Sequence, residues 1–308
     1  MTDLKNYYQK HIKTYTTEVS KLKKQLVSFS VLRLGAFILT LFLIYYTFSN
    51  LILTTSIAII GTALFLYLLL RYTRLKEQQA LTKALLKVNT DELRIINGDY
   101  LFKPEGKAYH EATHAYSLDI DLFGKGSFFQ NIDRTATKSG QHLLAQALKA
   151  NSIQHITERQ EAIKELSTKT VWRQHFQATA SLIEIETKTE DITYWLQNYT
   201  NKLPKFSKAL AIIFSIITLA ILVLSVIGIV PKAIIGYWLF AGLLVSGIYV
   251  KNINHLAQKT GKIKDTFRQY ASLLKTIENE NFTSELLVQK QKDINTDTKK
   301  ASEIFKKF

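Results

Sequence analysis

Long uncharged runs alternate with highly charged ones along this chain, and that alternation organises everything else. Residues 34–70 contain no charged side chain, and residues 209–250 are interrupted only by Pro231-Lys232. One membrane helix needs about 20 apolar residues, so each run suits two helices joined by a tight turn. Phe48-Ser49-Asn50 is the expected turn of the first pair, with Tyr45 and Tyr46 placed for the membrane interface. Residues 228–232 are the expected turn of the second. Lys21, Lys23, Lys24 and Arg33 precede the first run, and Arg71, Arg74 and Lys76 follow it. Lys202, Lys205 and Lys208 precede the second run, and Lys251 follows. Basic residues on both flanks and none in the turn at 48–50 place both ends of each pair on the cytoplasmic side. A buried helix pair of a soluble protein is the competing reading of the same runs. Gly242 and Ser246 offer a contact of small residues for a neighbouring helix.

The polar stretches read as mostly helical. Leu4, Tyr7, Tyr8, Ile12 and Tyr15 lie near helical spacing in residues 1–33, and Leu81, Leu85, Val88 and Leu93 form a stripe over 77–93. Asn97-Gly98 is a turn signal between Arg94-Ile95-Ile96 and Tyr100-Leu101-Phe102, which predicts a small hairpin. Tyr116, Leu118, Ile120 and Leu122 alternate with Ser117, Asp119 and Asp121, the period of a half-buried strand. Gly124 and Gly126 then supply a turn. Phe128, Phe129 and Ile132 fit a short helical turn, and Leu143, Leu144, Ala147 and Leu148 mark one face of a helix from near Gly140. A further helix from about Ser152 turns Ile156, Ala162, Ile163 and Leu166 inward, with Asn151 and Gln154, or Thr157 and Gln160, as candidate caps. Val171-Trp172-Arg173 lies in another helical run, and Ile192, Trp195, Leu196 and Tyr199 in one more before Pro204. Trp172 and Trp195 read as packing residues. Leu256, Ile263, Phe267, Tyr270, Leu274 and Ile277 mark a long amphipathic helix that breaks near residues 279–281 and resumes over 282–292.

Composition narrows the function. With no cysteine, disulfides and thiolate metal sites are excluded. The net charge of +15 fits either cytoplasmic flanks of membrane helices or a nucleic-acid binder. Lys23, Lys24, Arg71, Arg74, Lys262 and Lys264 are the candidate contacts to phosphate, of lipid or of DNA. The polar lead is too long for a secretory signal. Neither apolar pair has an ionisable residue in its hydrocarbon-facing middle, which argues against a transporter. His110-Glu111-Ala112-Thr113-His114 matches the zinc-protease word, but that chemistry needs a helix, and Pro104, Gly106 and the expected strand make this a loop. A membrane metalloenzyme built on His110, Glu111 and His114 is therefore the weaker alternative.

One set of residues carries a family resemblance: Asp121-Leu122-Phe123-Gly124, Gly126-Ser127-Phe128-Phe129, Ile132-Asp133-Arg134-Thr135, Thr137, Gly140 and Arg159-Gln160-Glu161-Ala162. Together they resemble the core (connector and lever) domain of the MutS DNA mismatch-repair family, and more closely its membrane-anchored branch. Phe102-Lys103-Pro104-Glu105-Gly106 and His114-Ala115-Tyr116 stand where that branch has Phe-x-Pro-x-Gly and His-Pro-Tyr, with one proline lost. Residues 101–173 carry the likeness well and the helical remainder only loosely. Ala301-Ser302-Glu303-Ile304-Phe305 resembles the family's returning lever segment. The resemblance implies a dimer and a DNA-dependent ATPase in the full-length protein. ATP and magnesium would then belong to a C-terminal domain outside these 308 residues, which hold no G-x-x-x-x-G-K-[ST] loop.

The expectation is thus a mainly α protein with four transmembrane helices in two hairpins and a helical cytoplasmic MutS core-like domain containing a short strand or hairpin element. The expected divisions are 1–33 (amphipathic segment), 34–70 (first hairpin), 71–208 (core-like domain), 209–250 (second hairpin) and 251–308 (lever-like helix). The chain would lie in the inner membrane with both termini and the core in the cytoplasm. No catalytic residue, cofactor or metal is expected of it. Asp133, Arg134 and Thr135 are expected to hold the core turn, with Asp133 capping a short helix and Arg134 bridging helices.

Overall fold

A computed structural model describes residues 2–150, 154–183, 207–231, 233–295 and 300–306. The chain divides into two compact units, one of Met1–Glu184 with Gln269–Lys307, the other centred on Ile185–Arg268.

The first unit is built on a helical hairpin. Helices α1 (Thr2–Tyr46) and α2 (Leu51–Ile96) pack along each other and meet at residues 47–50. Asn50 caps α2 by accepting from the Leu53 N–H, and the Thr54 hydroxyl donates to the Thr47 carbonyl at 2.6 Å. Gly61 lets the helices approach, since a β-carbon there would lie 2.3 Å from Thr40 Cγ2. No break separates the polar and apolar stretches. The expected boundaries at 33 and 70 fall inside continuous helices, because nothing at either point stops the backbone hydrogen-bond ladder.

After α2, Asn97 and Gly98 close the helix with N–H bonds to the carbonyls of Leu93, Arg94 and Ile95, rather than turning a hairpin. The expected strand at 116–122 is likewise a run of turns, and no strand is found among the described residues. The N–H groups of Ile120, Asp121 and Leu122 bond to Tyr116, Leu118 and Ser117, and Asp121 has φ 47°. An alternating pattern becomes a strand only with a neighbour to complete its ladder, and here the backbone is satisfied locally. Leu118 and Ile120 consequently remain exposed while Leu122 is buried.

Four short helices follow: α3 (Phe128–Ile132), α4 (Lys138–Lys149), α5 (Ile156–Thr168) and α6 (Thr170–Ser181). Ser127 caps α3 and Thr137 caps α4. His155, in the left-handed region, precedes α5 without a side-chain cap, so Thr157 does not fill that role; residues 151–153 lie outside the described residues. The buried faces match the expected ones in part. Ala162 is buried and Leu144, Leu148 and Leu166 are half-buried as expected. Leu143, Ala147, Ile156 and Ile163 are instead exposed, and Ala145 is buried in their place. Helix α6 packs on α2 through Ala178 against Ala84 and Val88.

In the second unit α7 (Ser207–Val226) and the start of α8 (Ala233–Glu278) form an apolar pair turned at Gly228, φ 84°. Trp238 stacks on Phe214 with ring centroids 4.8 Å apart and donates to the Thr218 hydroxyl at 2.9 Å. Gly242 faces the Phe214 ring, so the small residue serves this contact, and Ser246 is exposed. Residues 269–278, the end of α8, belong to the first unit, as do α9 (Glu285–Ile294) and α10 (Ala301–Lys306). The segment holding Ile192, Trp195, Leu196 and Tyr199 lies outside the described residues.

Candidate functional site

The most distinctive surface is the apolar half of the α1–α2 hairpin. Both helices are long and apolar enough to cross a membrane, and only 0% and 6% of their most apolar windows are buried inside the protein. A soluble core pair would bury that surface. Instead Val31, Leu34, Ile38, Phe42, Ile52, Ile59 and Leu66 face outward. Residues 52–70 of α2 would rise about 28 Å, close to a hydrocarbon core of about 30 Å. Exposed Tyr45, Tyr46 and Phe48 sit at the turn, and exposed Lys23, Lys24, Arg71 and Arg74 at the opposite end. Lys262 and Lys264 fall in α8, and their side chains lie outside the described residues.

The residues singled out between 121 and 140 gather at one small core. Leu122, Phe123, Phe129 and Ala145 form it, with Tyr109, Tyr116, Leu144 and Leu148 against them. Gly106, at φ 68°, is required there, because a β-carbon would meet the Phe129 ring at 2.7 Å. Asp133 accepts from the N–H and hydroxyl of Thr135 at 2.8 and 2.6 Å, and from the Gln141 amide at 2.9 Å. Arg134 bridges to Glu92 on α2 at 2.5 Å and donates to the Asn131 carbonyl. The Asp133 carboxylate therefore fixes the turn from α3 to α4, and Arg134 ties that turn to α2. Asp121 and Gln160 are exposed, Gly124 donates to the Glu105 carbonyl, and Arg159 donates to the carbonyls of Gln154 and His155.

Gln130 is a central residue that sequence reasoning missed. It is fully buried, its amide donates to the carbonyls of Leu101 and Lys103, and its oxygen accepts from the Gly126 N–H at 2.7 Å. Ser127-x-x-Gln130 has the spacing of a capping box, which was the available signal. Nearby, burial lowers the Lys103 pKa, opposed by Asp91 at 3.9 Å, and burial together with Glu92 raises that of Tyr8.

His110, Glu111 and His114 lie in irregular backbone instead of a helix. His114 has Nε2 3.0 Å from the Lys149 carbonyl and Nδ1 3.4 Å from the Tyr116 N–H, while Glu111 pairs with Lys149 at 3.3 Å. Together with the Tyr116 hydroxyl on the Leu148 carbonyl, His114 caps the end of α4. The three residues thus do not present the shared helical face that zinc hydrolysis requires. No group of three potential metal ligands occurs among the described residues.

A clasp in the first unit joins residues far apart in the chain. The Trp172 indole donates to the Thr276 carbonyl at 3.1 Å and packs edge-on against Phe282. Lys169 reaches Glu280 at 2.6 Å, and Gln291 donates to the carbonyls of Ile277 and Glu280. Glu165 accepts from the N–H groups of Thr283 and Ser284 ahead of α9. An open groove of about 590 Å³ beside this clasp is lined by Tyr7, Trp172, His175 and the paired Lys169 and Glu280. Partial burial raises the Glu165 pKa, but the bonds from Ser284 and Thr283 outweigh it and hold the carboxyl below its usual value. The folded state then binds fewer protons than the unfolded one, so this stabilisation is present above the ordinary carboxylate range and lost as pH falls through the folded value. Glu165→Gln should lower the melting temperature near pH 7 and cost progressively less as pH falls below the ordinary carboxylate range; an equal loss at every pH would contradict the assignment.

Fold and exposed surface together define a mainly helical protein with two helices able to cross a membrane by length and composition. Comparisons with models of known protein families, with curated proteins and with solved structures return no match.

Proposed function

We propose that this chain is a membrane anchor and connector, with no bond-making chemistry of its own. The observation that carries the reading is the outward-facing apolar surface of α1 and α2, uninterrupted by charge from Leu34 to the turn and from the turn to Leu70. Such a surface is stable only against lipid or a comparably apolar partner. By the same sequence logic α7 and the first half of α8 form a second membrane hairpin, giving four crossings. Basic flanks put the termini and the helical core in the cytoplasm, at the inner membrane.

The likeness of residues 101–173 to the MutS core extends the proposal. The core would act as connector and lever, coupling the bilayer to an ATPase region of a mismatch-repair-related, dimeric protein. The continuity of α8 from its apolar start to the clasp at Trp172 and Gln291 supports a coupling role. DNA is then a possible partner of the assembly, and a membrane-tethered DNA binder is the reading that salt-dependent binding to duplex would favour.

The natural absence of cysteine makes the topology directly testable. Single cysteines at Ser49 and Ile229 should react with a membrane-impermeant maleimide from outside intact cells, and one at Gln79 only after permeabilisation. Labelling of Gln79→Cys in intact cells would overturn the orientation, and protection of Ile229→Cys alone would remove the second hairpin.

A further inference from the structure

We propose that the polar end of the α1–α2 hairpin is a binding collar for anionic phospholipid headgroups. The inference rests on the membrane reading of that hairpin and adds the chemistry of the lipid it selects.

Charge along the chain is the first observation. Between Glu18 and Glu77 there is no acidic residue, while seven cations occur: Lys21, Lys23, Lys24, Arg33, Arg71, Arg74 and Lys76. The fold supplies the second. Thr40 lies against Gly61, and the Arg33 guanidinium stands 6.0 Å from the Phe65 ring and 5.1 Å from that of Tyr72. That antiparallel register brings residues 21–33 of α1 and 71–76 of α2 to the same end of the hairpin. All seven cations therefore gather at one end of the hairpin, where Glu77, level with Lys24, is the one acidic residue of these two helices among them. The opposite end carries exposed Tyr45, Tyr46 and Phe48 and no charge at all.

Side-chain direction is the third. Leu22, Leu26 and Leu68 are buried at the seam between the helices. Lys21 and Lys23 flank Leu22 at about 100° on either side, and Lys24 points away from the seam. On α2, Arg71 and Arg74 project to one side of Leu68 and Lys76 to the other. Lys21, Lys23, Lys24, Arg71, Arg74 and Lys76 are all exposed. The cations thus encircle the hairpin instead of forming one face. A duplex could touch only part of such a ring, whereas headgroups surround a membrane helix on every side. Lys21, Lys23, Lys24, Arg74 and Lys76 also lie at the edge of the outward apolar surface, whose last exposed members on α1 are Val27, Val31 and Leu32, at the depth of lipid phosphates. Encirclement and depth both favour lipid over nucleic acid.

The test uses the full chain in detergent micelles containing equal phosphatidylglycerol and phosphatidylcholine, with retained lipid counted by native mass spectrometry. The expected result is a preference of roughly tenfold or more for phosphatidylglycerol, falling as salt is raised. It should vanish in the Lys23→Gln, Lys24→Gln, Arg71→Gln, Arg74→Gln variant and persist when the same sites exchange Lys for Arg and Arg for Lys. Equal retention of both lipids by the parent, or a preference indifferent to salt, overturns the proposal without any substitution. Competition by inorganic phosphate at equal concentration would reassign the collar to free phosphate, and saturable duplex binding without lipid preference would reassign it to DNA; either result overturns the lipid assignment. Alkaline carbonate extraction separates the two levels. A parent released from membranes sinks the anchor reading itself, while a parent that stays but holds both lipids equally sinks only the collar.

Discussion

Gln130→Leu should cost roughly 3–6 kcal/mol, enough to abolish protease resistance of the first unit. The side chain is fully buried and is the partner of three backbone groups: the carbonyls of Leu101 and Lys103 and the Gly126 N–H. Leucine has similar volume, so the loss isolates hydrogen bonding from packing. The three bonds are part-buried, and each group left without a partner out of reach of water costs about 1–3 kcal/mol. Limited proteolysis and thermal melting in detergent both read the effect. A melting temperature unchanged by Gln130→Leu would show that water reaches these groups and that Gln130 does not staple residues 101–103 to α3.

Phe129→Ala is the second large effect, about 3–5 kcal/mol. The ring is wholly buried, packed against Phe123 at 5.4 Å and Tyr109 at 5.7 Å between centroids. A more discriminating form of the prediction uses Gly106. Its substitution by alanine places a β-carbon 2.7 Å from the Phe129 ring at a φ of 68°, adding a clash to backbone strain. Removing the ring removes the two closest approaches and leaves the strain and a tight 3.1 Å approach to Phe123. Gly106→Ala should therefore destabilise the parent by about 2–4 kcal/mol and the Phe129→Ala background by about 1 kcal/mol. Equal costs in both backgrounds would mean the close approach is not real.

Both substitutions fall in a region where the sequence was only partly legible. The helical hairpin announced itself, because a long uncharged run with basic flanks has few physical solutions. The short helices α3 and α4 were also readable, the first through Phe128, Phe129 and Ile132 and the second through Leu144 and Leu148. The stretch 116–122 was misread since alternation of Leu118, Asp119, Ile120 and Asp121 says nothing about whether a partner strand exists. Its true role depends on His114 and Tyr116 reaching the end of α4, a contact across more than thirty residues. Helix faces went astray for a related reason. Leu143 has the hydrophobicity of a core residue, yet the small Ala145 is what fits beside Leu122, Phe123 and Phe129. The clasp carried a signal only in Trp172, as a packing residue; Glu165, Lys169 and Gln291 carried none. Its partners lie up to 119 positions away, and only the folded chain brings them together.

Helix α2 is unbroken from its apolar half to Ile96, and α6 is packed on its far part through Ala84, Val88 and Ala178. Beyond residue 70 it extends about 39 Å. With its first half in a bilayer, a change in hydrocarbon thickness is met by tilt, and a tilt of about 10° would swing the far end by about 7 Å if the helix stays straight. On the proposed membrane reading, the lipid composition of the host membrane would thereby be a mechanical input to the helical core, delivered without any ligand.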